Sequence, residues 1–177
     1  NIMAGIIKVN QYQDFNGNTL FTSDGSGNLT TQNFNTPSFS AWRKSSDQSI
    51  AQSTLTTLVA DEEFFDTDNA YDTSNGQFIC PSGKQGNYLF VANFTMSTNY
   101  AQVETFIYIN DAARFRGNVV RADAGSLNAV CLAKLNAGDV VTARVIQNSS
   151  SNALQSGGDT SNPVRYMNYF SGTRIGS

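Results

Sequence analysis

Gly86-Asn-Tyr-Leu-Phe-Val-Ala-Asn-Phe-Thr-Met96 decides the fold class. Tyr88, Phe90, Ala92, Phe94 and Met96 fall on one face of an extended chain; Leu89, Val91, Asn93 and Thr95 fall on the other. Successive side chains of a strand point to opposite faces, so this stretch predicts a β-strand with an entirely apolar inner face. The same period recurs on either side. Val103–Ile109 is apolar on both faces, as a strand inside a sandwich is. Leu127–Leu135 and Asp139–Ile146 read as two more strands, joined by Asn136-Ala-Gly-Asp139, where Gly138 is free to take positive φ. Helical periodicity is hard to find. The best window, Ile50–Ala60, carries Ile50, Leu55, Leu58 and Val59 but is rich in Thr and Ser and reads as strand and loop. Short strands about 8–12 residues apart, punctuated by Gly, Asn and Asp, indicate an all-β sandwich or barrel.

The chain's 177 residues suffice for one domain and a short appendage. At that size roughly 70 % of the unfolded surface is buried on folding, so a core needs no staples. Charged residues make up 14 % of the chain, well under the roughly 25 % of an average soluble domain. Asn, Ser, Thr and Gln take their place. A neutral polar surface suits packing against further copies or binding uncharged ligands such as glycans. The net charge is −3 and no basic cluster exists to displace counterions from nucleic acid. No apolar stretch approaches the ~20 residues of a membrane helix, so no membrane insertion is expected. There is no histidine, which removes the usual neutral-pH base and every Ser–His–Asp or Cys–His arrangement. No cofactor is expected. Cys80 and Cys131 read as buried thiols acting as small hydrophobes; a disulfide between them cannot be read from spacing.

Residues 1–38 differ from the rest. Ile6–Asn10, Thr19–Thr22 and Asn28–Thr31 read as short strands, with turns at Asn16-Gly-Asn18 and Asp24-Gly-Ser-Gly-Asn28. Such strands are too short to carry a core; three ribbons around a threefold axis would bury what one cannot. Thr36-Pro37 ends the segment, because a residue before Pro is pushed to extended geometry. Near the other end, Asn148–Pro163 is a polar run without period, read as a loop that is either solvated or a ligand-contacting tip.

A series of short motifs runs in order along the remaining chain: Phe39-Ser-Ala-Trp42, Phe65-Asp-Thr-Asp-Asn-Ala-Tyr-Asp72, Asn75-Gly-Gln-Phe78, Gly86-Asn-Tyr-Leu-Phe90, Ile107-Tyr-Ile-Asn110, Leu135-Asn-Ala-Gly-Asp-Val140 and Tyr169-Phe-Ser-Gly172. Together they resemble the globular domain of the C1q and tumour-necrosis-factor superfamily. The resemblance implies an all-β, ten-stranded, two-sheet jelly roll over 39–177. It also implies a homotrimer that recognises other molecules through its surface rather than an enzyme. It places Tyr88, Phe90, Tyr108, Tyr169 and Phe170 in the core or at the trimer contact. Thr173-Arg-Ile175 stands where the family has an apolar tail, so a shorter or more exposed final strand is expected. The N-terminal Ile-Lys-Val-Asn and Asp-x-x-Gly-Asn-Thr-Leu patterns resemble the adaptors that open phage fibre proteins. That likeness implies a virion location, with 1–38 anchoring or trimerising the chain and joining it to other virion proteins.

Four candidate sites follow. Arg114, Phe115 and Arg116, with Arg121 nearby, form a basic–aromatic triplet suited to stacking on a sugar or base, or to guarding a sheet edge. Asn152, Gln155 and Asp159 represent the polar run. The acidic stretch Asp61, Glu62, Glu63, Asp66, Asp68 and Asp72 reads mainly as a solvated loop. Asp66 and Asp68 have the alternating oxygens of a weak calcium site, although the Gly and terminal Glu of an EF-hand are missing. A glycosidase pair among these carboxylates is the least favoured reading. The function expected is a phage tail- or head-fibre knob that binds a host-surface glycan or protein, against two alternatives: a capsid-decoration or tail-adaptor protein, and a secreted C1q-like lectin.

Overall fold

The computed structural model describes residues 9–30, 37–96, 102–120, 126–149, 152–154 and 168–176. The chain divides into two compact units, Asn1–Thr36 and Pro37–Ser177. All regular structure among the described residues is strand.

In the first unit β1 (Gln11–Gln13), β2 (Thr19–Ser23) and β3 (Leu29–Thr30) form one antiparallel sheet in that order. Its two turns use the same chemistry. Asp14 Oδ1 accepts the N–H groups of Asn16 and Asn18, and its Oδ2 accepts the Asn18 amide. Asp24 repeats this with Ser26 and Asn28. None of residues 9–28 is buried, and Phe15 is fully exposed. The strand expected at Ile6–Asn10 falls mostly outside the described residues.

The second unit is a two-sheet sandwich. The front sheet has β4 (Ser38–Trp42), β7 (Glu62–Asp66), β10 (Gly86–Thr95), β13 (Ser126–Leu135) and β16 (Tyr169–Gly176), in the order β13-β10-β16-β4-β7. The back sheet has β8 (Tyr71–Asp72), β9 (Gln77–Ile79), β11 (Val103–Ile109), β12 (Ala112–Val120) and β14 (Val140–Gln147), in the order β12-β11-β14-β9-β8, with β6 (Thr56–Thr57) also pairing β14. A separate ribbon joins β5 (Gln48–Ile50) to β15 (Asn152–Leu154). The polar run at Asn148–Pro163 therefore contains a strand that its composition hid. The final strand is eight residues long and reaches Gly176, so it is not shortened, while Ile175 near its end is exposed.

The core is aromatic. Phe39 stacks on Tyr71 and Phe78, and Phe170 meets Phe39 edge-on at 5.1 Å. Phe90 stacks on Tyr88 and Phe170. Gly172 lies between two of these rings: a Cβ there would stand 2.6 Å from Phe90 and 2.7 Å from Phe39. Cys80 and Cys131 are buried, unbonded thiols within the same core. At the sandwich edge, β12 presses on β13 at Gly117, where an added Cβ would collide with the Asn128–Ala129 backbone.

Candidate functional site

Two surfaces of the sandwich have side chains that folding alone does not account for. The first is the outward face of the front sheet. Because pleating sends alternate residues to opposite faces, Leu89 and Val91 project away from the core that Tyr88 and Phe90 fill. The register places Leu89 opposite Leu132, and Val91 opposite Val130, so four apolar side chains form a cross-strand block. Leu132 and Val130 are about 60 % exposed (61 % and 58 %). The row continues through Ser171 and Ser40, whose hydroxyls share a 2.8 Å hydrogen bond, to Phe65, half exposed on β7. Ser38, Leu89, Val91, Thr173 and Phe65 border an open hollow of about 360 Å³.

The second surface lies at the sandwich edge. Beside the contact at Gly117, β12 and β13 border a cleft of about 430 Å³, lined by Ile109, Arg114, Phe115, Leu132, Lys134, Asn136 and Asp139. Its floor is stiff. Asn110 and Asp111 both take positive φ, as a two-residue hairpin turn of matching twist requires. Asn110 holds the neighbouring turn: its Oδ1 accepts the Val140 N–H and its amide donates to Asp139 Oδ1. Asp139 Oδ2 accepts the Asn136 N–H. Both Asp139 oxygens are thus engaged, and Asp111 pairs with Arg144. Arg114 and Lys134 have no ion-pair partner among the described residues.

The residues singled out in the sequence are distributed differently from their expected grouping. Arg114–Arg116 lie on β12. Arg114 lines the edge cleft and Phe115 packs half-buried against the core. Arg116 sits on the opposite face, 2.8 Å from Glu104. Asn152 is buried on β15 at 5 % exposure and so does not present a contact tip. Arg121, Gln155 and Asp159 lie outside the described residues. Tyr88, Phe90 and Phe170 are fully buried within one chain. Tyr169 is half-buried on the outward front face, and Tyr108 is half-buried on the back sheet with Arg144 over its ring at 4.4 Å.

The acidic stretch is mostly built into the scaffold rather than a solvated loop. Asp61 accepts the Lys44 N–H at 2.7 Å and pairs with Arg43. Burial alone would raise its pKa; hydrogen bonds from Ser45 and Lys44 and the Arg43 charge outweigh that and hold the carboxyl below its ordinary value. The oxygens of Asp66 accept the N–H groups of Asp68 and Tyr71, those of Asp72 bind Ser74 and Asn75, and Asp68 faces Lys84 and Thr67. Burial, with a smaller push from Asp66, raises Glu63. Among the described residues no three acidic, Cys or His side chains converge on a metal-sized site.

Sequence reading missed the apolar block and Lys134. The signal was present: β10 and β13 carry large apolar residues on both faces, which in a two-layer sandwich means that the outer face also seeks a cover.

The comparisons agree with this architecture. The globular domain of zebrafish complement 1qA superposes with a TM-score of 0.53 at 16 % identity, covering 78 % of this chain and 97 % of that one. Murine APRIL gives 0.58 at 11 % identity, covering 79 % and 99 %. The Eiger TNF of S. frugiperda gives 0.51 at 8 % identity, covering 80 % and 94 %. No curated protein sequence matches the chain. The C1q domain family model matches residues 38–172, most of the chain, and the protein belongs to the C1q domain family.

Proposed function

We propose that this chain is a non-catalytic recognition module that works as a homotrimer. The observation that carries the reading is the apolar block of exposed Val130 and Leu132 and half-buried Leu89 and Val91, continued by Phe65, on the outward face of the front sheet. Large apolar surface of this kind on a sheet marks an interaction site. Threefold packing would cover it, in keeping with the homotrimers that C1q and tumour-necrosis-factor homologues form. Recognition then gains from multivalency: three weak sites on one rigid body bind a surface far more tightly than one does.

The test is mass in solution by light scattering. The wild-type chain is expected at three times the chain mass, and Val91→Asp at the chain mass with its β-sheet circular dichroism intact. A monomeric wild-type protein, or a folded Val91→Asp trimer, overturns the reading.

The finer assignment is a virion location, with the trimer as the distal knob of a phage tail or head fibre contacting a host-surface glycan or protein. Its support is the N-terminal ribbon of short strands and repeated Asp-x-x-Gly-Asn turns, read as the attachment to other virion proteins. Gold-labelled antibody viewed on the source particles or cells decides it. Label at fibre tips supports a knob. Label over a shell or at a tail joint makes the chain an adaptor, and label on cells alone makes it a secreted lectin.

A further inference from the structure

We propose that the edge cleft between β12 and β13 binds the acidic group of a saccharide, a carboxylate or sulfate on a sugar ring, with Arg114 and Lys134 as its charge partners. The inference deepens the recognition reading and rests on it. Three observations converge. The cleft is a partly open hollow of about 430 Å³, a volume suited to a ring-sized group. The two cations that line it lack ion-pair partners among the described residues, while Asp139, the one acid in the lining, has both oxygens turned to the Asn110 and Asn136 donors, and the nearby Asp111 is paired with Arg144. Phe115 and Ile109 also line it, an apolar wall against which the C–H face of a sugar packs. The wall stands on two turns pinned to each other through Asn110, so the site is preorganised and binding orders little backbone.

The competing explanation is that Arg114 and Lys134 guard an open strand edge against sheet addition. On β12 part of that edge is already covered by β13, which packs against it at Gly117. An arginine is also well matched to the acid: its planar fork meets a carboxylate or sulfate through two parallel N–H donors. Lys134, carried on the facing strand, supplies a second point charge.

The experiment is ligand-detected NMR and calorimetry on the full chain, with glucuronic acid and N-acetylneuraminic acid as probes and glucose and N-acetylglucosamine as neutral counterparts. The acidic sugars are expected to bind in the millimolar range, and the neutral ones at least tenfold more weakly. Arg114→Gln and Lys134→Gln should each lower affinity about fivefold to tenfold, and the pair should abolish binding. Arg116→Gln, on the opposite face, should change nothing. Equal binding of neutral sugars, no binding of acidic ones, or binding retained by the double variant overturns the inference. Light scattering on the same samples separates the two readings. A monomer that binds acidic sugars refutes the trimer and leaves the cleft; a trimer that binds none refutes the cleft. Binding confined to the Val91→Asp monomer would show that assembly covers the cleft, and would also refute it.

Discussion

Gly117→Ala tests the contact that closes the sandwich edge. The glycine is not in the left-handed region, so alanine meets no backbone strain and the effect is purely steric. The new Cβ would overlap the Asn128 carbonyl oxygen and lie 2.5 Å from Thr105 Oγ1 and 2.8 Å from Ala129 Cα. A carbon in contact with a carbonyl oxygen sits about 3.3 Å away, so the 2.3 Å approach to Asn128 O makes β12 and β13 part by ~1 Å. Thr105 can rotate away; the β13 backbone cannot. Separation also strains the Asn118 Oδ1 acceptance of the Asn128 N–H at 2.9 Å and the Thr105 hydroxyl bond to Asn128 O at 3.1 Å. Overpacking of this sort costs about 1–3 kcal/mol, and each weakened hydrogen bond about 1 kcal/mol. Alanine's smaller unfolded-state entropy returns about 0.4–1 kcal/mol. The net loss is about 2–4 kcal/mol, which lowers the Tm of a domain this size by roughly 10 °C. The assay is thermal unfolding at fixed chain concentration, since any self-association makes Tm concentration-dependent. Gly176→Ala, with open space around its Cβ, is the control and should not move Tm. A Gly117→Ala melting curve that overlays the wild type refutes the strand contact beside the cleft.

Three further outcomes follow from the core and the loops. Tyr88→Asp or Phe170→Asp places an unpaired charge among fully buried rings at a cost of several kcal/mol, so neither should yield folded protein; a soluble, cooperatively melting variant would contradict their placement. Burial pushes the Cys131 thiol up to about 11 and raises Cys80 as well, so Ellman's reagent at about pH 8 should find no reactive thiol until denaturant is added; fast native labelling of either would overturn their burial. Asp61 has a depressed folded pKa, so its stabilisation is complete above the ordinary aspartate value of 3.8 and is lost as pH falls through the lower folded value. Asp61→Asn should therefore be less stable than wild type at neutral pH and show a flatter loss of stability below about pH 4; parallel acid-denaturation curves would refute the role given to Arg43, Lys44 and Ser45.

Legibility of the sequence tracked how local the causes were. The strand at 86–95 was plain because alternation over ten residues is a local pattern, and the turn at Gly138 because positive φ is a local demand. Asn152–Leu154 is hidden because its partner, Gln48–Ile50, lies about a hundred residues away and the run around it is polar. The acidic stretch was misread for the same reason. A carboxylate that accepts backbone N–H groups, as Asp66 and Asp61 do, looks identical in sequence to one in water.

The candidate surfaces were half legible. Arg114 and Phe115 stand out as a basic–aromatic pair, yet what gives them a shared site is Lys134, some twenty residues on. Lys134 reaches the same cleft only because β12 and β13 belong to different sheets that meet at one glycine. The apolar block makes the same point more strongly. Leu89, Val91, Val130 and Leu132 each look like ordinary core residues, because a one-dimensional pattern shows that both faces of a strand are apolar but not which face the other sheet covers. Only the register, which sets Leu89 against Leu132 and Val91 against Val130 with the aromatic core behind them, shows that these four were left over. The residues most useful for function are therefore those whose hydrophobicity the fold itself does not use.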